Sequence, residues 1–281
     1  MQGAGLGSKV DIPSNREFLT SVGRAFAGAL IFALPMLMTM EMWQLGIALH
    51  PWRILVLLVA VVPLLLGLSR FSGIRNTAHW LDEVADVLVA ILISGLTAAI
   101  VLWIFDVITS EMPVREIISK LAIQFIPCSI GAMLARSQLG QSSAEDDEQK
   151  NGSSYAGELF LMAVGAIFLS LNVAPTEEIV LIAYKMTISQ QIILAVASLL
   201  VMQVFVYAAH FRGGHAFEGM SMMSEFARYT LVGYAIVLIV SFCLMWVLGR
   251  ADGNAFHEIL SGCIVLSFPG AIGAAAARLV L

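Results

Sequence analysis

VREIISKLAIQFIPCSIGAMLARSQL (Val114–Leu139) and FHEILSGCIVLSFPGAIGAAAARLVL (Phe256–Leu281) decide how this chain is read. Laid on one another at a shift of 142 residues, without a gap, they agree at ten of 26 positions. The identical pairs are Glu116/Glu258, Ile117/Ile259, Ser119/Ser261, Pro127/Pro269, Ile130/Ile272, Gly131/Gly273, Ala132/Ala274, Ala135/Ala277, Arg136/Arg278 and Leu139/Leu281. Chance likeness between apolar helices aligns Leu, Val and Ala. Agreement that includes Glu, Pro, Gly and Arg marks an internal repeat.

Upstream of this block the agreement is weaker: Glu83 and Ala85 fall on Glu225 and Ala227, Phe71 and Gly73 pair with Phe211 and Gly213, and Glu41 pairs with Glu177 or Glu178. The unit defined in this way holds four apolar stretches, so the chain holds eight: Val22 to Gln44, Trp52 to Leu68, Val84 to Phe105, Leu121 to Arg136, Ala156 to Val173, Ile188 to His210, Ala227 to Leu248 and Glu258 to Leu279. Each is close to the ~20 residues that cross ~30 Å of hydrocarbon. Composition agrees, being 59% hydrophobic and 12% charged with a mean hydropathy of +0.89, where a soluble domain is about a quarter charged.

The expected fold class is therefore an all-α membrane protein of about eight transmembrane helices in two four-helix tandem repeats. An even number of crossings per unit makes the copies parallel, related by an axis along the membrane normal. Residues 1–139 form the first repeat with its polar N-terminus, 140–154 a linker carrying Glu145, Asp146, Asp147 and Glu148, and 155–281 the second repeat. Ten basic residues flank the spans on one side and five on the other, which places both termini and the linker in the cytoplasm. The N-terminal stretch lacks the basic, apolar, small-residue order of a cleaved signal peptide.

Several function classes lose ground at once. A net charge of -5 with no basic stripe gives nucleic acid nothing to bind. Cys128, Cys243 and Cys263 fall inside spans without a CxxC and read as small buried apolar residues. The five histidines show neither HxxxH nor HExxH spacing, and no P-loop, nucleophile elbow or dinucleotide fingerprint is present. No metal, cofactor or enzymatic activity is expected.

Two sets of residues stand out instead. Carboxylates gather at the ends of the spans away from the cytoplasm, and Glu41, Glu116, Glu178 and Glu258 are the candidates for a cation vestibule, since acidic rings concentrate cations. Counted from Arg24 along an unbroken helix, Glu41 lies ~26 Å away, at the far interface. The competing reading is solvated charge and helix starts, where acidic residues suit the dipole. Deeper, Pro127 and Pro269 lie near mid-membrane and free the carbonyls of Ile123 and Val265; with Gln124 and Ser129 they are candidates for a pathway, or simply for helix packing with Gly131 and Gly273. At the cytoplasmic ends, Glu83 with Arg136 and Glu225 with Arg278 are expected to form structural ion pairs.

The eight spans, the repeated E-I-x-S followed by P-x-x-I-G-A-x-x-A-R, and the acidic linker together resemble a family of bacterial integral membrane proteins of unknown function. The resemblance implies a bacterial inner membrane and brings no activity or site residues. From the residues, ion conduction or transport is expected, with cations favoured. A non-transport scaffold or sensor, and a lipid or small-solute carrier, stay open as alternatives. The lipid bilayer is the expected partner; cations and self-association are open.

Overall fold

A computed structural model describes residues 15–71, 80–139, 155–211 and 222–280, and every element in them is helical. The order is α1 (Asn15–Leu37), α2 (Met40–Ala48), α3 (Pro51–Phe71), α4 (Trp80–Ile104), α5 (Val114–Leu139), α6 (Tyr155–Val173), α7 (Glu178–Lys185), α8 (Ile188–Phe211), α9 (Val232–Val247) and α10 (Phe256–Val280). A short turn, Met222–Glu225, and a π-helical segment, Phe226–Leu231, lead into α9. Seven stretches are long and apolar enough to cross a membrane, and the pair α1–α2 makes an eighth if it is counted as one span.

That pair corrects the reading of one straight span from Val22 to Gln44. The chain turns by 81° between α1 and α2, and the turn is stable because the last four carbonyls of α1 all find donors. Leu34 O accepts from the Met38 N–H (3.0 Å), Pro35 O from the Thr39 hydroxyl (2.5 Å), Met36 O from the Gln124 side-chain amide (3.0 Å) and Leu37 O from the Trp43 indole (2.7 Å). A helix end inside an apolar medium would otherwise carry several kcal/mol of unmet hydrogen bonding. Glu41 therefore sits on a short helix set across α1, and the rise per residue of one straight helix no longer gives its depth.

A second short helix, α7, falls in the connection after Val173. The Thr176 N–H and hydroxyl both donate to Val173 O, at 3.0 and 2.8 Å, and Pro175 beside it has no N–H with which to continue a helix.

In the packing, α5 touches α1, α2, α3 and α4, while α10 touches α6, α7, α8 and α9. Two of the close approaches run through glycine and alanine. A Cβ added at Gly28 would lie 2.0 Å from the Ala135 Cβ and 2.7 Å from Gly131 O; one at Gly165 would lie 2.2 Å from Gly273 O and 2.6 Å from the Ala277 Cβ. Backbone contact of this kind is how small residues hold helices together in lipid, where the hydrophobic effect does not drive association. α3 meets both α6 and α9, which ties the halves together. On the outside, large apolar side chains such as Leu92, Trp103, Ile31 and Ile239 are exposed, a surface suited to acyl chains.

Candidate functional site

The connection from α9 to α10 is a turn in which Gly249 (φ 76°) and Gly253 (φ 75°) take left-handed backbone, which glycine adopts at no steric cost. The turn presents Arg250 and Asp252, and both are engaged. Asp252 accepts two bonds, at 2.7 and 2.8 Å, from the guanidinium of Arg53 at the head of α3. That guanidinium lies 5.8 Å from the ring centres of Trp52 and of Trp246, which meet edge to face at 5.4 Å. Arg250 donates to the backbone carbonyl of Pro175 and comes within 3.9 Å of Glu177. One turn thus fastens α3 on one side and the α6–α7 break on the other.

Beside this turn, α7, α8 and the head of α10 enclose a groove of 1510 Å³. Its walls are apolar, with Val180, Leu181, Ile188, Ile192, Val196 and Leu199 among them, and its mouth carries Glu177, Glu178, Asp252 and Glu258. Against these four carboxylates stand Arg250 on the lining, Arg53 bound to Asp252 and, between the lining residues Tyr184 and Met186, Lys185 at the end of α7, leaving a formal excess of one negative charge. The Glu178 carboxyl is held below the usual range by its own backbone N–H, and the Asp252 carboxyl by Arg53. A second cavity of 530 Å³ borders the same turn and is lined by Leu45, His50, Trp52, Arg53 and Asp252 among others.

A separate polar ladder descends α5. Lys120 is buried within an apolar span, and its ammonium reaches Glu116 at 2.7 Å and donates to Val107 O at 3.1 Å. Gly46 of α2 lies so close above it that an added Cβ would come within 2.9 Å of the Lys120 Cα. One turn deeper, the fully buried Gln124 spends its amide N–H on Met36 O and leaves its Oε1 without a partner. In the sequence Lys120 is one of the five basic residues that flank the spans on the side away from the cytoplasm. The signal that could have found it is the i, i+4 spacing of Glu116 and Lys120 on one helix face.

The predicted residues separate accordingly. Glu178 and Glu258 border the groove; Glu41 and Glu116 are not among its lining residues. Glu258 accepts the Ala255 N–H at 2.8 Å and so closes the start of α10, Glu116 holds Lys120, and Glu41 is half-buried on α2. Gln124, Pro127 and Ser129 are buried and Pro269 is half-buried. Both proline-bearing helices continue unbroken, with Ser129 and Ser267 donating back to the carbonyls of Ile126 and Ile264. Along α10 the groove lining ends at Ile264, short of Pro269. Of the expected cytoplasmic ion pairs, the side chains of Glu83, Arg136 and Arg278 lie outside the described residues, and Glu225 is buried. The linker 140–154 also lies outside them. Among the described residues no three of His, Cys, Asp and Glu come together as metal ligands.

A family model described as "Putative integral membrane protein (DUF2391)" matches residues 21–281. The chain belongs to this family. It is an integral membrane protein, and its apolar helices are candidate spans. No curated protein and no solved structure matches it. The family's description assigns neither activity nor site residues, so the chemistry rests on the geometry of the groove and the ladder.

Proposed function

We propose that this protein passes cations across the bacterial inner membrane and takes them in at the mouth of the groove between α7, α8 and α10. The observation that carries this reading is the surplus of carboxylates there, four against two guanidiniums and the ammonium of Lys185, beside a cavity of 1510 Å³. Negative charge at a low-dielectric cleft raises the local concentration of cations. No chemical step and no cofactor enters the proposal.

The fuller architecture belongs to the same proposal: two parallel four-helix repeats, 1–139 and 155–281, joined by a cytoplasmic linker, with both termini in the cytoplasm. Its support is the matched block of sequence, together with the packing of Gly28 on Gly131 and of Gly165 on Gly273. A non-transport scaffold is the second reading, favoured by the burial of Pro127, Gln124 and Ser129 in close helix contact.

Potassium flux into protein-loaded liposomes tests the proposal, with the exposed pair Glu177→Gln and Glu178→Gln as the variant. Flux should fall, and most strongly below physiological salt, where the Debye length exceeds ~8 Å. Flux equal to that of empty liposomes, or indifferent to the double variant at low salt, would leave the scaffold reading.

A further inference from the structure

The walls of the groove do not suit a bare inorganic ion. Such an ion gives up its water only to a shell of oxygen ligands, whereas the lining that α7 and α8 supply includes Leu181, Ile188, Ile192, Val196 and Leu199. Its neutral polar side chains are engaged within the protein: the Ser261 hydroxyl donates to His257 O at 2.8 Å and lies 3.1 Å from the Gln191 carbonyl oxygen, and the Asn254 amide donates to Arg250 O at 2.9 Å. The volume of 1510 Å³ also exceeds the ~300–1,000 Å³ of pockets that hold drug-sized molecules. The carboxylates at the mouth differ in how free they are. Asp252 is held by Arg53, Glu258 by the Ala255 N–H, and Glu177 stands 3.9 Å from Arg250; Glu178 is exposed, accepts its own backbone N–H and feels Arg250 at longer range. Tyr184, 84% exposed, adds an aromatic face to the same lining, of the kind that attracts organic cations.

We propose that the groove binds an amphipathic organic cation, its charged group at Glu177 and Glu178 and its apolar body against α8 and α10. This rests on the cation reading above and names its substrate class. An apolar chamber beneath an acidic mouth is complementary to both parts of such a molecule. Ile192 and Val196 line the groove while 59% and 49% exposed, so the molecule reaches its place from the bilayer as well as from water.

Tetraphenylphosphonium and tetraphenylborate, nearly equal in shape and opposite in charge, test this by equilibrium binding to the full chain in phosphatidylcholine nanodiscs. The phosphonium should bind saturably and the borate should not. Glu177→Gln with Glu178→Gln should weaken phosphonium binding roughly three- to tenfold, as expected for two exposed charge contacts. Val196→Trp, which fills the groove without touching its charge, should abolish binding. Equal binding of both probes, or binding indifferent to both variants, overturns the proposal and leaves a groove filled by lipid. Potassium flux in liposomes is read alongside. Charge-sensitive potassium flux without saturable phosphonium binding overturns the ligand class and leaves cation passage standing. Saturable phosphonium binding with neither ion moving keeps the ligand class and removes passage.

Discussion

Lys120 shows what one charge requires inside an apolar helix. Its ammonium is buried against Glu116, whose side chain is 28% exposed, so removing either partner strands the other in a poor solvent. Lys120→Met should destabilise the protein by ~1–3 kcal/mol, and Lys120→Met with Glu116→Leu should recover most of that loss, because deleting both charges leaves none uncompensated. Chemical unfolding in detergent micelles checks this, and a double variant as unstable as the single one would remove the ion pair as the cause. Asp252 makes a different case, since its bidentate partner holds its carboxyl below the usual range on an exposed turn. A lowered carboxylate contributes while it is ionised: the clasp is intact above the ordinary aspartate value of ~3.9 and is lost as pH falls through the lowered value in the folded state. Tryptophan emission should therefore hold steady from about pH 8 to about pH 5 and change below about pH 4 as the Trp52–Trp246 pair loosens. Asp252→Asn should show the altered emission already at neutral pH, with little change in thermal stability because exposed pairs contribute about 0–1 kcal/mol.

The elements are held by backbone contact, and their glycines report it. The small-xxx-small spacing of Gly131 with Ala135, and of Gly273 with Ala277, is visible in the sequence. Nothing local in the sequence marks their partners Gly28 and Gly165, because a glycine at a helix crossing looks the same as one facing lipid. Gly165→Ala places a Cβ 2.2 Å from a backbone carbonyl that cannot rotate away, and should cost ~1–3 kcal/mol. Gly95→Ala meets nothing within 4 Å and should be neutral or stabilise by up to ~1 kcal/mol through helix propensity. Unfolding midpoints of the two variants, compared in the same detergent, decide it; equal loss at both sites would mean that propensity rather than crossing geometry governs. The two short helices were illegible for a related reason. α2 and α7 depend on donors from far along the chain, Gln124 at the end of α1 and Arg250 at Pro175, and a window of sequence does not contain both partners.

At the scale of the whole molecule, orientation is the property most directly open to test. With the three native cysteines replaced, Asn254→Cys on the exposed turn should react with a membrane-impermeant maleimide in intact cells, and Ser143→Cys in the linker only after the cells are opened, as the ten-to-five division of basic residues requires. The reverse pattern would invert the topology and put the groove mouth on the cytoplasmic side. That the chain is helical, lies in a membrane and carries long apolar spans was determined by the sequence alone. Lipid leaves the backbone few alternatives, so hydropathy and length suffice to choose the element. Which carboxylates stand together was decided only by tertiary structure. Glu116 and Glu258 match in sequence, yet position 120 is lysine in the first block where the second has Gly262, so the first glutamate is drawn into an ion pair and the second is left to cap its helix at the groove. Charge placement depends on side chains that reach across the bundle, and these pairings, such as Arg53 with Asp252 across 199 residues, exist only once the chain has folded.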